Sequence, residues 1–300
     1  MTFSDIAMIG FGEAGGILAG DLAAQGVRVR AYDTLLDEPA TRLRLQEKAA
    51  RCGVTLCNSA QQATQGAQLV ISAVTAGAAL DVASGLAPAL QPGQWYLDIN
   101  SVAPATKQTA CATVQYSGAT YVDAAVMAPV PPKRLQTPIL LGGHDADTIS
   151  AGLNALGFST RVVSGEVGVA SAIKMCRSVM IKGLEALTTE CLFTARHYGA
   201  EEEVLASLQA SFPGMGWDAA LPHYLFSRVA EHGWRRAEEM EEVAETVRAA
   251  GGEPHMSQAI AQVQRGLAEA MAVQGLNYNK LEPFDWHPLV DRLTATRNRK

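Results

Sequence analysis

The sequence predicts an α/β chain of two domains: an open, largely parallel sheet flanked by helices, followed by an all-α C-terminal domain. Three observations carry this expectation. The chain has 300 residues, about twice the ~150 typical of one domain. Up to about residue 165, short apolar runs alternate with Ala-, Leu- and Gln-rich stretches of helical length, as βαβ units do. After Gly165 the strand-like runs stop and long patterns of helical period take over. The expected domains are therefore 1–165 and 166–300.

The first strands are expected at Ile6–Ile9, Val27–Tyr32, Leu69–Val74 and Trp95–Ile99. Several are near-continuous apolar runs, because helices cover both faces of such a sheet. Ala119–Val126, Pro138–Leu141 and Thr160–Val163 extend it, with a long loop at Pro129–Thr137. The stretch Val169–Tyr198 holds no proline and one glycine, Gly183. Along it Ile173, Cys176, Met180, Leu184, Leu187 and Cys191 recur every three or four residues, which is one helix face. Cys176 there reads as a small core residue. Further helices are expected at Glu201–Ser211, Trp217–Glu231, Gly233–Ala250 and Ser257–Met271. Gly199, Pro213, Gly251, Gly252 and Pro254 separate them. The tail from Pro283 to Lys300 has no assignable pattern.

Composition narrows the function. Hydrophobic residues make up 48% and charged residues 18%, which excludes a disordered chain. Five cysteines in 300 residues exclude a disulfide scaffold. The net charge of −6, without a basic run, argues against nucleic acid and anionic membranes as partners. The longest uncharged apolar stretch, Leu69–Leu80, is too short to span a bilayer. The first basic residue is Arg28, so no signal-peptide n-region is visible. A cytoplasmic protein is expected. The six histidines are scattered, and no C-x-x-C or H-E-x-x-H occurs, so no metal site is expected.

Gly10-Phe11-Gly12-Glu13-Ala14-Gly15 fits G-x-G-x-x-G. It follows the apolar run Ile6–Ile9 and opens the helical stretch Ile17–Ala24. Asp33 ends the second strand 23 residues after Gly10, close to the spacing of about 20 in the Rossmann fingerprint. Gly10 allows the tight turn, Gly12 lets the backbone approach a pyrophosphate, and Gly15 lets the helix pack on the strand. The helix N-terminus offers N–H groups and a positive dipole end to the phosphates. The first half thus reads as a Rossmann dinucleotide-binding domain. Asp33 can accept both ribose hydroxyls and repels a 2′-phosphate, so NAD is favoured over NADP. Arg42 or Arg44 folding back keeps NADP possible.

The second constellation is Gly165-Glu166-Val167-Gly168-Val169-Ala170-Ser171-Ala172-Ile173-Lys174-Met175-Cys176-Arg177-Ser178. A G-x-x-G turn before a helix with a lysine on its second turn resembles the β-hydroxyacid dehydrogenase family. That family includes 3-hydroxyisobutyrate and 6-phosphogluconate dehydrogenases. Three more segments are similar to it. Val74-Thr75 ends a strand where family members touch the cofactor ribose. Asp98-Ile99-Asn100-Ser101-Val102-Ala103-Pro104 looks like the loop beside the nicotinamide. Asp123-Ala124-Ala125-Val126 looks like the substrate segment. The chain departs from the family in two places. Ser178 stands where the family has Asn, and Met127-Ala128-Pro129-Val130-Pro131-Pro132 replaces its Ser-Gly-Gly loop. The C-terminal half looks closer to a less characterised subgroup with its own helical domain.

The resemblance implies an NAD(P)-dependent oxidoreductase moving hydride between nicotinamide and a small β-hydroxyacid or its semialdehyde. Lys174 would be the general acid/base. Free lysine, with a pKa of about 10.4, needs burial beside a cationic ring to serve as a base at neutral pH. Ser178, one turn on, would take the place of the family Asn. Cofactor contacts are expected from Gly10, Phe11, Gly12, Glu13, Ala14, Gly15, Asp33, Val74, Thr75 and Asn100. Substrate contacts are expected from Ser101, Val102, Ala125, Met127 and Arg177. Asn100 and Ser101 could also cap a helix over Ala103–Val114. Glu238–Glu242 reads as a solvated helix face. A homodimer or larger homo-oligomer is implied. Two alternatives stay open: an imine reductase of the same fold, against which Lys174 counts, and a non-catalytic dinucleotide-binding protein.

Overall fold

The structure is a computed structural model and describes residues 2–281 and 283–297. The chain divides into two compact units, Met1–Met175 and Cys176–Lys300.

The first unit is built on eight strands: β1 (Asp5–Ile9), β2 (Arg28–Tyr32), β3 (Thr55–Leu56), β4 (Leu69–Ser72), β5 (Trp95–Asp98), β6 (Thr120–Val126), β7 (Pro138–Gly142) and β8 (Ser159–Ser164). They form one sheet in the order β3-β2-β1-β4-β5-β6-β7-β8. β6 and β7 pair antiparallel, while the other neighbours are parallel. Between the strands run α1 (Glu13–Ala24), α2 (Pro39–Cys52), α3 (Ala60–Thr64), α4 (Ala79–Leu86), α5 (Pro104–Gln115), α6 (Val130–Lys133) and α7 (Ala146–Ala155). Every strand expected from the sequence is present. The two-residue β3 was too short to leave a pattern. The expected loop at Pro129–Thr137 contains the single turn α6 and a 3-10 turn at Arg134–Gln136.

Strand residues alternate between two cores. Ile6 and Met8, Leu69 and Ile71, and Trp95 and Leu97 meet Leu18 and Leu22 of α1 and Ile149 and Leu153 of α7. Ala7, Ile9, Val70 and Tyr96 face the other way, against Ala83 and Leu86 of α4 and Ala110 and Val114 of α5. Period-two alternation with both faces buried is what makes these strands read as continuous apolar runs. Each fully buried Leu or Ile contributes about 1.5–3 kcal/mol of hydrophobic stabilisation.

The register aligns the strand ends. Ile9 stands opposite Tyr32 and Ser72, Ser72 opposite Asp98, and Asp98 opposite Asp123. The loops after β1, β2, β4 and β5 therefore leave the sheet along one edge. β1 and β4 are neighbours at the point where the strand order reverses, the place where such sheets bind ligands.

α8 (Val169–Tyr198) starts in the first unit and continues into the second. The second unit adds α9 (Glu201–Ser211), α10 (Leu221–Ala249), α11 (His255–Val273) and α12 (Trp286–Arg297). α10 merges two helices expected separately, since Gly233 sits inside it. A Cβ at Gly233 would fall 2.5 Å from Gln264 O and 3.0 Å from Ala268 Cβ. This glycine serves close packing of α10 on α11, not a chain break. Phe226, Val229, Leu267, Met271, Trp286, Leu289 and Leu293 fill the core, with Leu192 of α8. The unassigned tail supplies α12 to that core. Its last three residues lie outside the described ones.

The apolar face read from the spacing along α8 is largely outward. The buried residues of this helix include Ser178, Lys182, Glu185, Thr188 and Thr189, while Ile173, Met180 (67% exposed) and Leu187 (59% exposed) face out. Cys176 is exposed too, which corrects its reading as a core residue. Periodicity identified the apolar face correctly and gave no information on what covers it.

Candidate active site

The glycine loop joins β1 to α1, and steric demand explains two of its glycines. Gly10 has φ 92°, and a Cβ there would lie 2.3 Å from Ala73 O. A Cβ on Gly15 would lie 2.0 Å from Gly10 O, so β1, α1 and the end of β4 meet through bare backbone. At Gly12 no atom lies within 4 Å of the Cβ position. Gly12 is the N-cap of α1 and provides no side-chain cap, so the first-turn N–H groups of Glu13 and Ala14 have no side-chain acceptor there. That is an anion cradle, and its open face is the one a pyrophosphate needs. These residues fit a dinucleotide.

Asp33 follows β2. Its Oδ2 accepts from Phe11 N at 2.7 Å and its Oδ1 from Leu35 N at 3.0 Å. The carboxylate is thus fixed against the glycine loop, with lone pairs left for ribose hydroxyls. Lys48 of α2 is a residue sequence reasoning missed. Its Nζ donates to Phe11 O at 2.9 Å and Gly12 O at 2.7 Å, and stands 4.7 Å from the Phe11 ring centre. Burial lowers its pKa. It places a positive charge at the phosphate cradle, and nothing around Lys48 in the sequence signals this.

After β4 and β5 the loops are tied together. Asn100 Oδ1 accepts from Val74 N at 2.7 Å, and Asn100 Nδ2 donates to Ser72 Oγ at 2.9 Å. Asp98 Oδ1 accepts from Asn100 N at 2.9 Å. Thr75 is exposed. The capping alternative for Asn100 and Ser101 is corrected here. α5 starts at Pro104 after Ala103, with no side-chain cap, because proline at the first helical position leaves one amide fewer to satisfy.

Ser101 turns to α8 instead. Lys174 Nζ donates to Ser101 Oγ at 2.5 Å. The first turn of α8 is held by Asp123, whose Oδ2 accepts from Gly168 N and Ser171 N, each at 3.1 Å. Its Oδ1 accepts from Ser171 Oγ at 2.6 Å. Asp123, which opens the segment resembling the family's substrate loop, is fully buried and serves as a helix cap. Of the expected substrate contacts, Val102 is buried and Ala125 packs with Leu140 and Ala170, Met127 lying beside them. Ser178 is buried and Arg177 exposed, one turn and three residues along α8 from Lys174.

In the second unit, Glu239 is no solvated residue. It pairs with Lys182 at 2.6 Å and with Arg235 at 2.7 Å. Glu241 reaches Arg265, as a surface pair does. Among the described residues no group of three or more His, Cys, Asp or Glu is placed to hold a metal ion, and no helix is long and apolar enough to cross a membrane.

Residues 5–158 match the family model of the NAD binding domain of 6-phosphogluconate dehydrogenase, and residues 195–267 match a domain of unknown function, DUF1932. The 3-hydroxyisobutyrate dehydrogenase of Pseudomonas aeruginosa is 27% identical over 220 residues, covering 71% of this chain and 72% of that one. A conserved hypothetical protein from Sinorhizobium meliloti 1021 is 39% identical in its solved structure, with 97% of each chain covered and a TM-score of 0.74. The conserved protein MTH1747, of unknown function and described as similar to 3-hydroxyacid dehydrogenases, is 33% identical with a TM-score of 0.68. That match covers 91% of this chain and all of the other, 100%. With its NAD binding domain over half its length and a DUF1932 segment behind it, the chain belongs to the 3-hydroxyacid dehydrogenase family of NAD(P)-dependent oxidoreductases, in a less characterised branch.

Proposed function

We propose that the protein is an NAD-dependent dehydrogenase of small 3-hydroxyacids or their semialdehydes, with Lys174 as general acid and base. The observation that carries this reading is the 2.5 Å contact between Lys174 Nζ and Ser101 Oγ. It joins the two segments that most resemble the family's reacting residues. A bound nicotinamide supplies hydride transfer at a carbinol carbon, and the chain's own residues supply the rest. Gly12 leaves room for the pyrophosphate, Gly10 and Gly15 let β1, α1 and the end of β4 meet behind it, and the amides of Glu13 and Ala14 border it. Asp33 holds ribose hydroxyls and repels a 2′-phosphate. Val74, Thr75 and Asn100 border the nicotinamide half. Ser101 orients the substrate oxygen. Lys174 as the amine takes the hydroxyl proton in oxidation, and as the ammonium returns it to the carbonyl oxygen in reduction. Ser178 stands one turn further along α8, in the place of the family Asn. Arg177, about 100° round the helix from Ser178, offers a carboxylate clamp.

The test is Lys174→Ala, assayed against 3-hydroxyacids, semialdehydes and cyclic imines with both nicotinamide cofactors. Turnover of a hydroxyacid should fall about 10²–10⁴-fold while NAD affinity is retained. Near-normal turnover in the variant overturns the assignment. Imine turnover alone makes the protein an imine reductase, and cofactor binding without any turnover makes it a non-catalytic binder. Preference for NADP overturns the role given to Asp33.

The homodimer or larger homo-oligomer we propose is supported by α8. Its outward Ile173, Met180 and Leu187 form an apolar stripe of the kind that marks an interface, and a second copy of the chain is its occupant. Met180→Glu with Leu187→Glu should yield monomers by light scattering. A wild-type protein that is already monomeric at micromolar concentration sinks this assembly.

A further inference from the structure

The chemistry above leaves one buried charge unused. Lys107 of α5 is 0% exposed. Its Nζ donates to Asp98 O at 2.6 Å and pairs with Asp98 Oδ1 at 2.9 Å and Asp123 Oδ1 at 3.4 Å. An ammonium has three donors, and three oxygens meet it. Among the described residues it is the cation in salt-bridge contact with either carboxylate.

Each carboxylate spends its remaining capacity on a site segment. Asp98 accepts from Asn100 N at 2.9 Å, and its Oδ2 accepts from the Tyr121 hydroxyl at 2.7 Å. It thereby shapes the turn that presents Ser101. Asp123 caps the first turn of α8 through Gly168 N, Ser171 N and Ser171 Oγ, and Lys174 follows one turn later. The α5 side of the junction is tight. A Cβ on Gly168 would lie 3.3 Å from Pro104 Cβ, and Gln108 Nε2 donates to Val167 O at 3.3 Å. A hydrophobic side chain of the same volume would fill the space between α5 and the sheet without the desolvation cost of an ion. What it lacks is the ability to hold two carboxylates together.

We propose that Lys107 is the positioning residue for Lys174. By bridging Asp98 and Asp123 it ties the Ser101 turn to the start of α8 and presets the Lys174–Ser101 contact. The catalytic consequence rests on the reading of Lys174 as acid and base. The geometric one does not. A contact misplaced by an ångström at a reacting group costs up to about 10²-fold in rate.

The experiment compares Ser171→Ala, Ser171→Thr and Lys107→Met with the wild-type protein. The first readout is the pH dependence of Lys174 arylation by an amine-directed reagent, resolved by peptide mass spectrometry; it needs no substrate. The second is kcat and KM for a hydroxyacid, with NAD affinity measured alongside. In Ser171→Ala and Lys107→Met the arylation profile should be displaced, and kcat should fall about 10–100-fold with NAD affinity within about twofold. Ser171→Thr, which keeps the hydroxyl, should restore both. A wild-type arylation profile in folded Ser171→Ala overturns the proposal, as does a kcat loss that tracks NAD affinity and melting temperature across the variants. If Lys107→Met fails to fold, the Ser171 pair decides. If the wild-type protein turns over no hydroxyacid, the assignment of Lys174 chemistry fails. The arylation profile then decides the positioning role alone.

Discussion

In the sheet unit, buried Lys107 meets three oxygens, and Asp98 and Asp123 use their other lone pairs on backbone amides and hydroxyls. In the helical unit, Glu185 (1% exposed) meets Arg236 at 2.6 Å and Gln264 Nε2 at 3.3 Å, and Lys182 meets Glu239 at 2.6 Å. There Arg236 Nε, Arg228 Nε and Gln264 Oε1 are buried without a hydrogen-bond partner. Burial raises the pKa of Glu185 and lowers those of Lys182 and Arg236, each against the pull of its partner. Both regions bury ions. The Lys107 cluster of the first satisfies its ions fully and directs the surplus bonds at two site loops, while elsewhere in that unit Arg30 Nε is buried without a hydrogen-bond partner. The second leaves polar atoms orphaned and crosslinks α8, α10 and α11. A buried ion pair is weak evidence of stability in itself, so what it organises separates the two.

The largest expected effect breaks the helical network. Glu185→Ala leaves Arg236 buried without its carboxylate and should cost about 3–5 kcal/mol. Glu185→Leu with Arg236→Met removes both charges and should recover most of that loss. Urea unfolding of the single and double variants measures both. If the double variant is no better than the single one, the helical network depends on its ions as much as the sheet unit does, and the contrast disappears.

Gly233→Ala comes next. Its Cβ would lie 2.5 Å from backbone Gln264 O, which cannot move without shifting α11. The expected cost is about 1–3 kcal/mol, seen as a lowered melting temperature with hydroxyacid kcat unchanged. A neutral outcome would mean that α10 and α11 separate easily.

The same contrast governs what the sequence revealed. In the sheet unit the apolar runs, the glycine spacing and the lysine segment are local patterns, so the strands, the Gly10–Gly15 turn and the start of α8 were legible. Lys107 and Lys48 were not, because their meaning lies in partners 9 to 37 positions away. In the helical unit, periodicity gave α8, α9 and α11 closely. It split α10 at Gly233, since a glycine that makes room for a neighbouring helix reads like one that ends a helix. It also misjudged Glu239, because a run of acids gives no sign that one of them faces a buried lysine on α8.

The smallest effect is a pH dependence located in the helical unit. His232 has its pKa lowered to about 4, first by burial and then by Arg228, Arg235 and Arg236, with Glu239 opposing. Glu231 lies 3.3 Å from its Nε2. In the unfolded chain the imidazole titrates near 6.5. Its folded pKa is depressed, so the stability it contributes is present above about pH 6.5 and is lost as pH falls toward 4. In that window the unfolded chain binds the proton and the folded chain does not. With the side chain 22% exposed, screening reduces the loss to about 1–2 kcal/mol by pH 5. His232→Gln should flatten the difference in stability between pH 7 and pH 5 while leaving the decline at lower pH, where Glu201 and Asp291, both with lowered pKa, protonate. Urea unfolding at the two pH values, followed by helical signal, measures the difference. An equal decline in the variant would move the acid sensitivity from His232 to the carboxylates.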